Sequence, residues 1–294
     1  MRPVREATPA GRGGRCVVGY GVASLRRFLV LPRVIWYLAR APRDRTQAWE
    51  TYWRGIDGGG PDGDVLWDAG TDRELSRCRD QAVTHLHRDL PVVDVACGNG
   101  TQAVLLADHF PMVVGIDVSA EAVARARQRA ARRTSVSFRV LDVTRPGVGR
   151  ALAAEIGPAN VHIRGLLHVL DDAERRAVAA NLADVVGDSG VVLLMETAFA
   201  GGALCYLERL GARLTEFPQT VARLLRAGVP VPREFDGKQL ARSFPSDVWQ
   251  VLDSGTTELD VVTTPTAGAA ATVPAFFAVL RRRTDAAEEI GPRI

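Results

Sequence analysis

The sequence predicts an α/β protein with a doubly wound sheet covered by helices on both faces. Three observations carry this. Between Val92 and Glu196, short apolar runs rich in valine and isoleucine alternate with stretches of helical periodicity, the pattern of parallel strands joined by crossover helices. The first apolar run, Val92-Val93-Asp94-Val95-Ala96-Cys97, breaks at Gly98 and Gly100 and leads directly into a helical stretch. Asp94 lies within that first run, and Asp117 and Asp142 close the next two. Acids gathered beside a glycine turn at the carboxyl edge of a parallel sheet describe a nucleoside-type site.

In chain order, residues 1–23 are rich in Gly, Arg and Pro and are expected to be disordered. The run 28–38 is apolar and aromatic but too short to span a bilayer, and it contains Pro32 and Arg33. Arg26, Arg27, Arg40, Arg43 and Arg45 flank it. Such a helix would suit an anionic membrane surface as a peripheral contact, or cover a pocket, or meet a second copy in a homodimer. Trp49, Trp53 and Trp67 follow, separated by a Gly58-Gly59-Gly60-Pro61 loop.

Residues 72–89 read as a helix with Leu75, Cys78, Ala82, Val83 and Leu86 on one face. Strand one is followed by a helix at 102–107, and strand two by a helix at 120–133 capped by Ser119. Strand three spans 136–141, a helix 146–156, strand four 161–164, a helix 171–186, and strand five 191–195, ending at Glu196. Residues 201–245 interrupt the alternation. Helical pieces at 204–210 and 221–225, broken by Pro218, Pro230 and Pro232, read as a cap above the carboxyl edge. Residues 248–252 and 275–280 read as the last two strands, with 259–263 extending the first of them or standing alone. The expected division is a basic extension with pocket-covering helices (1–70), a main domain with the cap insertion (71–284) and a tail (285–294). No internal repeat is visible.

Composition narrows the function classes. With 47% hydrophobic and 24% charged residues the chain is of ordinary globular type. Residues 1–45 hold ten arginines against Glu6 and Asp44, a local +8, so the rest carries −5 of the net +3. An acidic body behind a basic front does not suggest a nucleic-acid-binding enzyme, whose positive patch would sit beside its site. The four cysteines have no paired spacing, and the N-terminus has no leader-like apolar stretch. A cytoplasmic location is therefore expected. His109 and His162 read as structural. Asp171 and Asp172 read as a helix cap, and no metal is expected.

Gly98-Asn99-Gly100-Thr101-Gln102-Ala103 fits G-x-G-x-x-G/A, with Asp117 near the spacing of a ribose acid, so an NAD(P)-dependent oxidoreductase is one reading. Asp94, four residues before the first glycine, is unfavourable to a pyrophosphate and favourable to a cationic ligand. Asp94-Val95-Ala96-Cys97-Gly98-Asn99-Gly100 resembles motif I of the class I S-adenosylmethionine-dependent methyltransferases, with Ala96 where many members have glycine. Val114-Gly115-Ile116-Asp117-Val118-Ser119 resembles the family's second-strand motif, whose acid holds the ribose hydroxyls. Leu141-Asp142-Val143 resembles the third-strand motif, whose acid receives the adenine amino group.

The resemblance covers roughly residues 90–196. It implies a Rossmann-like seven-stranded sheet of order 3-2-1-4-5-7-6 with the last strand antiparallel. It also implies S-adenosyl-L-methionine as cofactor, held by these motif residues with Gln102, Arg164 and Trp67. The pattern W-x-x-x-W … L-W-D is similar to the segment before motif I in thiopurine-methyltransferase-like proteins, where it covers the cofactor; packing of aromatics in a core is the equal alternative.

Methyl transfer needs an aligned nucleophile and, for a hydroxyl acceptor, a base. His168, just after strand four, is the candidate base. Glu196 is the second catalytic candidate, in an orienting or structural role. Arg164 is expected to pair with Asp94 or with an acidic substrate. The expected activity is methylation of a small lipophilic or secondary-metabolic acceptor. The alternative from another class is a non-catalytic S-adenosylmethionine-binding protein. Deleting residues 1–45 is expected to leave a folded protein that loses acceptor use more than cofactor binding, measured by calorimetry beside turnover.

Overall fold

The structure, a computed structural model, describes residues 30–58, 64–68, 71–199, 202–213, 217–262 and 271–284. The expectations for 1–23, the glycine loop and the tail lie wholly or largely outside them. Its centre is a seven-stranded sheet: β1 (Val92–Val95), β2 (Val113–Asp117), β3 (Val136–Val140), β4 (Asn160–Arg164), β5 (Val191–Thr197), β6 (Trp249–Val261) and β7 (Ala271–Arg282). The order is β3-β2-β1-β4-β5-β7-β6. The first five strands are parallel, and β7 runs antiparallel to both β5 and β6. This is the order the family resemblance implies.

The helices are α1 (Leu31–Leu38), α2 (Arg45–Arg54), α3 (Asp72–His85), α4 (Thr101–Leu106), α5 (Ala120–Arg129), α6 (Val148–Ile156), α7 (Asp172–Val186), α8 (Gly202–Arg209), α9 (Gln219–Ala227) and α10 (Gly237–Ser243). Alternation along each strand sorts the side chains into two cores. Val93, Val95, Val161, Ile163 and Val192 pack with Leu152 of α6, Val178 and Leu182 of α7 and Leu240 of α10. Val92, Val113 and Leu193 pack on the other face with Ala82 of α3, Leu106 of α4 and Val123 of α5. Asp94 shares the parity of Val92 and so faces the α3 side.

A third apolar cluster lies above the carboxyl edge. It joins Tyr37 of α1, Tyr52 and Trp53 of α2, Tyr206 and Leu207 of α8, and Leu224 and Leu225 of α9 to Leu259, Val261 and Val273 at the ends of β6 and β7. Helices α8 and α9, from the stretch that interrupts the alternation after strand five, contribute to this cluster. The final strands are longer than the expected 248–252 and 275–280 because β6 and β7 pair over their whole length, with one irregularity between Val251 and Asp253. The pairing takes in 259–261 as part of β6. Asp236 and Gln239 form a capping box that starts α10, an element missed in the sequence for lack of apolar periodicity. On α1, Ile35, Trp36 and Leu38 remain exposed beside Arg33 and Arg40. No described helix is long and apolar enough to cross a membrane.

Among the described residues, Ala96 is the one non-glycine residue with positive φ, at 57°. A Cβ in this left-handed region costs about 1–2 kcal/mol, which is why glycine is common at the position in the family it resembles. Ala96→Gly removes that strain but gives the unfolded chain more freedom, worth about 0.5–1 kcal/mol the other way. Thermal unfolding of A96G should therefore begin at the same temperature or a few degrees higher. A drop would mean that the methyl group makes a contact worth more than the strain.

Candidate active site

The floor of the site is the turn between β1 and α4. Gly98 has φ 53° and Gly100 φ 79°. A Cβ on Gly98 would stand 2.8 Å from the Trp53 ring, so the turn passes directly beneath α2. Asp117 at the end of β2 holds the turn. Its Oδ2 accepts the Gly98 N–H and its Oδ1 the Ser119 N–H, both at 2.9 Å. Burial pushes the Asp117 carboxyl up to about 6, against the lowering effect of these amides.

Asp94 lies deeper, 2% exposed. Its Oδ1 accepts from Nδ1 of His162, its register partner on β4, at 2.7 Å, while its Oδ2 is buried with no partner. The other imidazole nitrogen is 3.7 Å from Cys78 Sγ of α3. Burial opposes charging His162, but Cys78 and the Asp94 carboxylate outweigh it and hold the imidazole above its ordinary range.

The expected Arg164–Asp94 pair is not formed. Arg164 instead pairs with Glu74 of α3 and donates to the Trp67 carbonyl at 2.9 Å. The reason is that His162, two residues earlier on the same face of β4, already stands against Asp94. Arg164 still borders the pocket, and burial lowers its guanidinium to about 10.

Asp142 sits just past β3. Burial would raise its carboxyl, but the Thr144 hydroxyl and N–H, with Arg45, hold it below the usual carboxylate range. Arg45 Nη2 reaches Oδ1 of Asp142 at 3.2 Å and Thr144 Oγ1 at 3.0 Å, and its Nη1 reaches Glu174 of α7 at 3.2 Å. Glu50 of α2 accepts from Ser119 Oγ at 2.6 Å and from the Glu121 N–H at 3.1 Å. Trp49 and Trp67 meet edge-on at 5.6 Å, and with Trp53 they line the pocket. The tryptophans are therefore both packed aromatics and pocket wall, so the two readings of that segment merge. Arg45, at the end of the basic extension, thus stands against an acid expected to hold the cofactor.

Ala96, Gly98, Asp117, Val118, Asp142, Val143, Arg164 and Trp67 line one continuous pocket with His168. Asp94, Cys97, Asn99, Gly100, Gln102 and Ser119, also expected there, stand behind its wall. The Cys97 thiol packs in the α3-side core, where burial raises it well above the ordinary thiol range. Asn99 donates to Asp68 at 2.6 Å, Gly100 starts α4, Gln102 is buried, and Ser119 caps α5. Among the described residues no three His, Cys, Asp or Glu side chains converge as a metal site.

The far half of the pocket is apolar. Leu207, Leu224, Leu225, Val229, Val231, Leu259, Val261 and Val273 enclose it, with Tyr206 and Thr197 as the polar exceptions. Burial pushes the Tyr206 phenol up to about 12, so it stays neutral. These residues, with Arg45, Trp49 and Thr144, were not identified from sequence as site residues. Only the tryptophan spacing and the position of the insertion signalled them.

His168 lies where the two halves meet, in a short 3-10 turn, Leu167–Val169. Its Nδ1 is 2.6 Å from Glu196 Oε2. Glu196 is fully buried and also accepts the N–H groups of Leu166, Leu167 and His168 at 3.1, 2.8 and 3.2 Å. A carboxylate only accepts, so Nδ1 carries the hydrogen and Nε2 is left as acceptor in the neutral ring.

Residues 92–190 match the family described as "Methyltransferase domain". A crystal structure of an S-adenosylmethionine-dependent methyltransferase from Anabaena variabilis is 28% identical, with 83% of this chain and 97% of that chain covered and a TM-score of 0.72. Two further solved structures share the fold at lower identity. One, described for the conversion of a disulfide bond into a thioacetal group during echinomycin biosynthesis, is 23% identical over 81% of this chain and 92% of that one, with a TM-score of 0.61. The other, the N-methyltransferase NodS from Bradyrhizobium japonicum bound to S-adenosyl-L-homocysteine, is 13% identical over 81% and 100%, with a TM-score of 0.50. No curated protein matches.

Two expectations follow for S-adenosylmethionine, the ligand of the resembled family. A ribose hydroxyl donating to Asp117 favours its ionised form, whereas burial pushes the carboxyl up to about 6. Affinity should therefore be full well above pH 6 and weaken as pH falls through it, by up to about tenfold per unit. Asp117→Asn should bind less tightly and flatten that profile in calorimetry. An unchanged profile would remove Asp117 from the ribose. Deletion through Arg45 is expected to weaken cofactor binding as well as acceptor use, and cofactor affinity equal to that of the full chain would show that the Arg45–Asp142 contact does not serve the cofactor.

Proposed function

We propose that the chain is a class I S-adenosylmethionine-dependent methyltransferase that methylates an uncharged, lipophilic small molecule at a hydroxyl, with His168 as the base. The residues present fit the cofactor. The pocket has a glycine turn that admits close approach, an acid at the end of β2, a second acid just past β3, and behind the turn an orphaned carboxylate oxygen on Asp94. When bound, the cofactor supplies an activated methyl group on a sulfonium with a good leaving group.

The observation that carries the acceptor class is the composition of the far compartment. Aliphatic side chains from α8, α9 and the β6 and β7 ends enclose it, and among the described residues no charged side chain stands with them to pair with a charged acceptor. An ionised acceptor would enter at the cost of its hydration without an ion-pair partner. Secondary metabolism is a natural setting, supported by the fold relative from echinomycin biosynthesis. We place the protein in the cytoplasm, in keeping with the buried thiols of Cys78 and Cys97.

The chain's residues divide the work. The tryptophans and the cap exclude water. Glu196 fixes the His168 ring through Nδ1, and three backbone amides fix Glu196. His168 Nε2 then takes the hydroxyl proton as the acceptor oxygen is committed to the methyl group. Arg233 donates its N–H to the His168 carbonyl at 2.9 Å, so the loop that lines the acceptor compartment is tied to the base.

Removing a general base costs about a hundredfold to ten-thousandfold in rate. His168→Ala should lower kcat by that order while S-adenosyl-L-homocysteine affinity, read by calorimetry, changes little. The acceptor comes from incubating the protein with methyl-labelled cofactor and host metabolite extract, followed by mass spectrometry of the product. A variant with near-normal kcat, or a product methylated on nitrogen or carbon, would leave proximity as the mechanism and remove His168 as base.

A further inference from the structure

We infer that His162, outside the pocket and with no part in the chemistry above, is a positioning residue that holds the Asp94 carboxylate in place for the ammonium group of the cofactor's methionyl end. The inference rests on the cofactor assignment and concerns residues that assignment leaves unexplained.

Asp94 and His162 are direct partners on neighbouring parallel strands, so their side chains project on the same face and meet. The contact is short, 2.7 Å, and both residues are almost fully buried. It uses one carboxylate oxygen. The second, Oδ2, is buried without any hydrogen-bond partner, next to the turn whose Ala96 and Gly98 line the pocket. A buried acceptor without a donor is a costly arrangement that folded proteins rarely keep without a purpose. Arg164, the nearby cation on the same face of β4, is bound to Glu74 and Trp67 and does not serve it. The cofactor's ammonium is a donor of the right charge for it.

His162 makes this possible. Its contact with Oδ1 fixes the rotation of the carboxylate and so the place of Oδ2. The imidazole is fixed in turn by Cys78 at its other nitrogen, so it cannot turn away without losing both contacts. Without His162, Asp94 would lose the partner that holds Oδ1, and its carboxylate would be free to turn away from the ammonium. The chain from α3 through β4 to β1 thus acts on the cofactor from behind the sheet.

The test compares two ligands that share the adenosine half. S-adenosylmethionine carries the ammonium; 5′-methylthioadenosine lacks the amino-acid portion. By calorimetry, His162→Leu should weaken S-adenosylmethionine about tenfold to a hundredfold and leave 5′-methylthioadenosine within about twofold, with KM for the cofactor rising more than kcat falls. His162→Asn, which retains an N–H donor, should recover part of the loss. In Asp94→Asn, the further change His162→Leu should cost nothing more, since both act through one contact. If His162→Leu does not fold, the wild-type protein decides: its His162 ring resonances should shift on titration with S-adenosylmethionine and not with 5′-methylthioadenosine. Equal weakening of both ligands, or equal ring shifts, would show that His162 only packs β4 against β1 and overturn the inference. Failure of the wild-type protein to bind S-adenosylmethionine at all would overturn the cofactor assignment as well, so the two failures are distinct.

Discussion

The contact on which the site depends is the pair of backbone hydrogen bonds into the Asp117 carboxylate. Gly98 and Ser119 belong to the two turns that leave β1 and β2, and one side chain ties both down. The tie fixes the glycine turn, the start of α5 and the height of the pocket floor together. It also explains why the carboxyl is buried yet useful. Two amides compensate part of its desolvation, and the remainder leaves it poised to gain from a ligand hydroxyl. Much of the rest follows by stacking: α2 rests on the glycine turn through Trp53, Glu50 fastens to the start of α5, and the cap closes over α2.

What could be read in the sequence was what repeats locally. Alternating strands and helices, the glycine turn and the strand-end acids are short-range patterns, and the sheet they specify is the sheet observed. The Ser119 and Asp171 caps were legible for the same reason. Long-range pairing was not. Nothing near Arg164 in the chain marks Glu74 as its partner, and nothing near Arg45 marks Asp142, ninety-seven residues away. The last strands were read too short because their apolar alternation fades. Along β6 the stretch from Val251 to Ser254 is exposed, and pairing with β7 rather than burial carries the strand through it.

His162 shows the same limit from another side. In sequence it is one histidine in an apolar strand, and a structural reading is the natural one. Its meaning depends on register: a shift of β4 by one residue against β1 would place Ile163 beside Asp94 and turn His162 to the opposite face. A residue's role here is set by a neighbouring strand that lies sixty-eight positions away in the chain. Glu196 is similar. As the last acid of an apolar strand it read as an orienting or structural acid without a named partner, and the four donors around it come from Leu166, Leu167 and His168.

The roof over the pocket is held differently from its floor. The floor is sheet and buried amide bonds; the roof is fastened at one end by Arg45, whose side chain is 21% exposed, to Asp142 and to Glu174. Partly hydrated ion pairs weaken with added salt, whereas buried amide bonds do not. A nucleoside leaving that end of the pocket has to part Arg45 from Asp142 or slip past it. If the pocket holds the cofactor as proposed, the dwell time of spent cofactor, and with it the pace of successive turnovers, would be coupled to the ionic strength around the protein, while the alignment of the reacting groups on the sheet would be insulated from it.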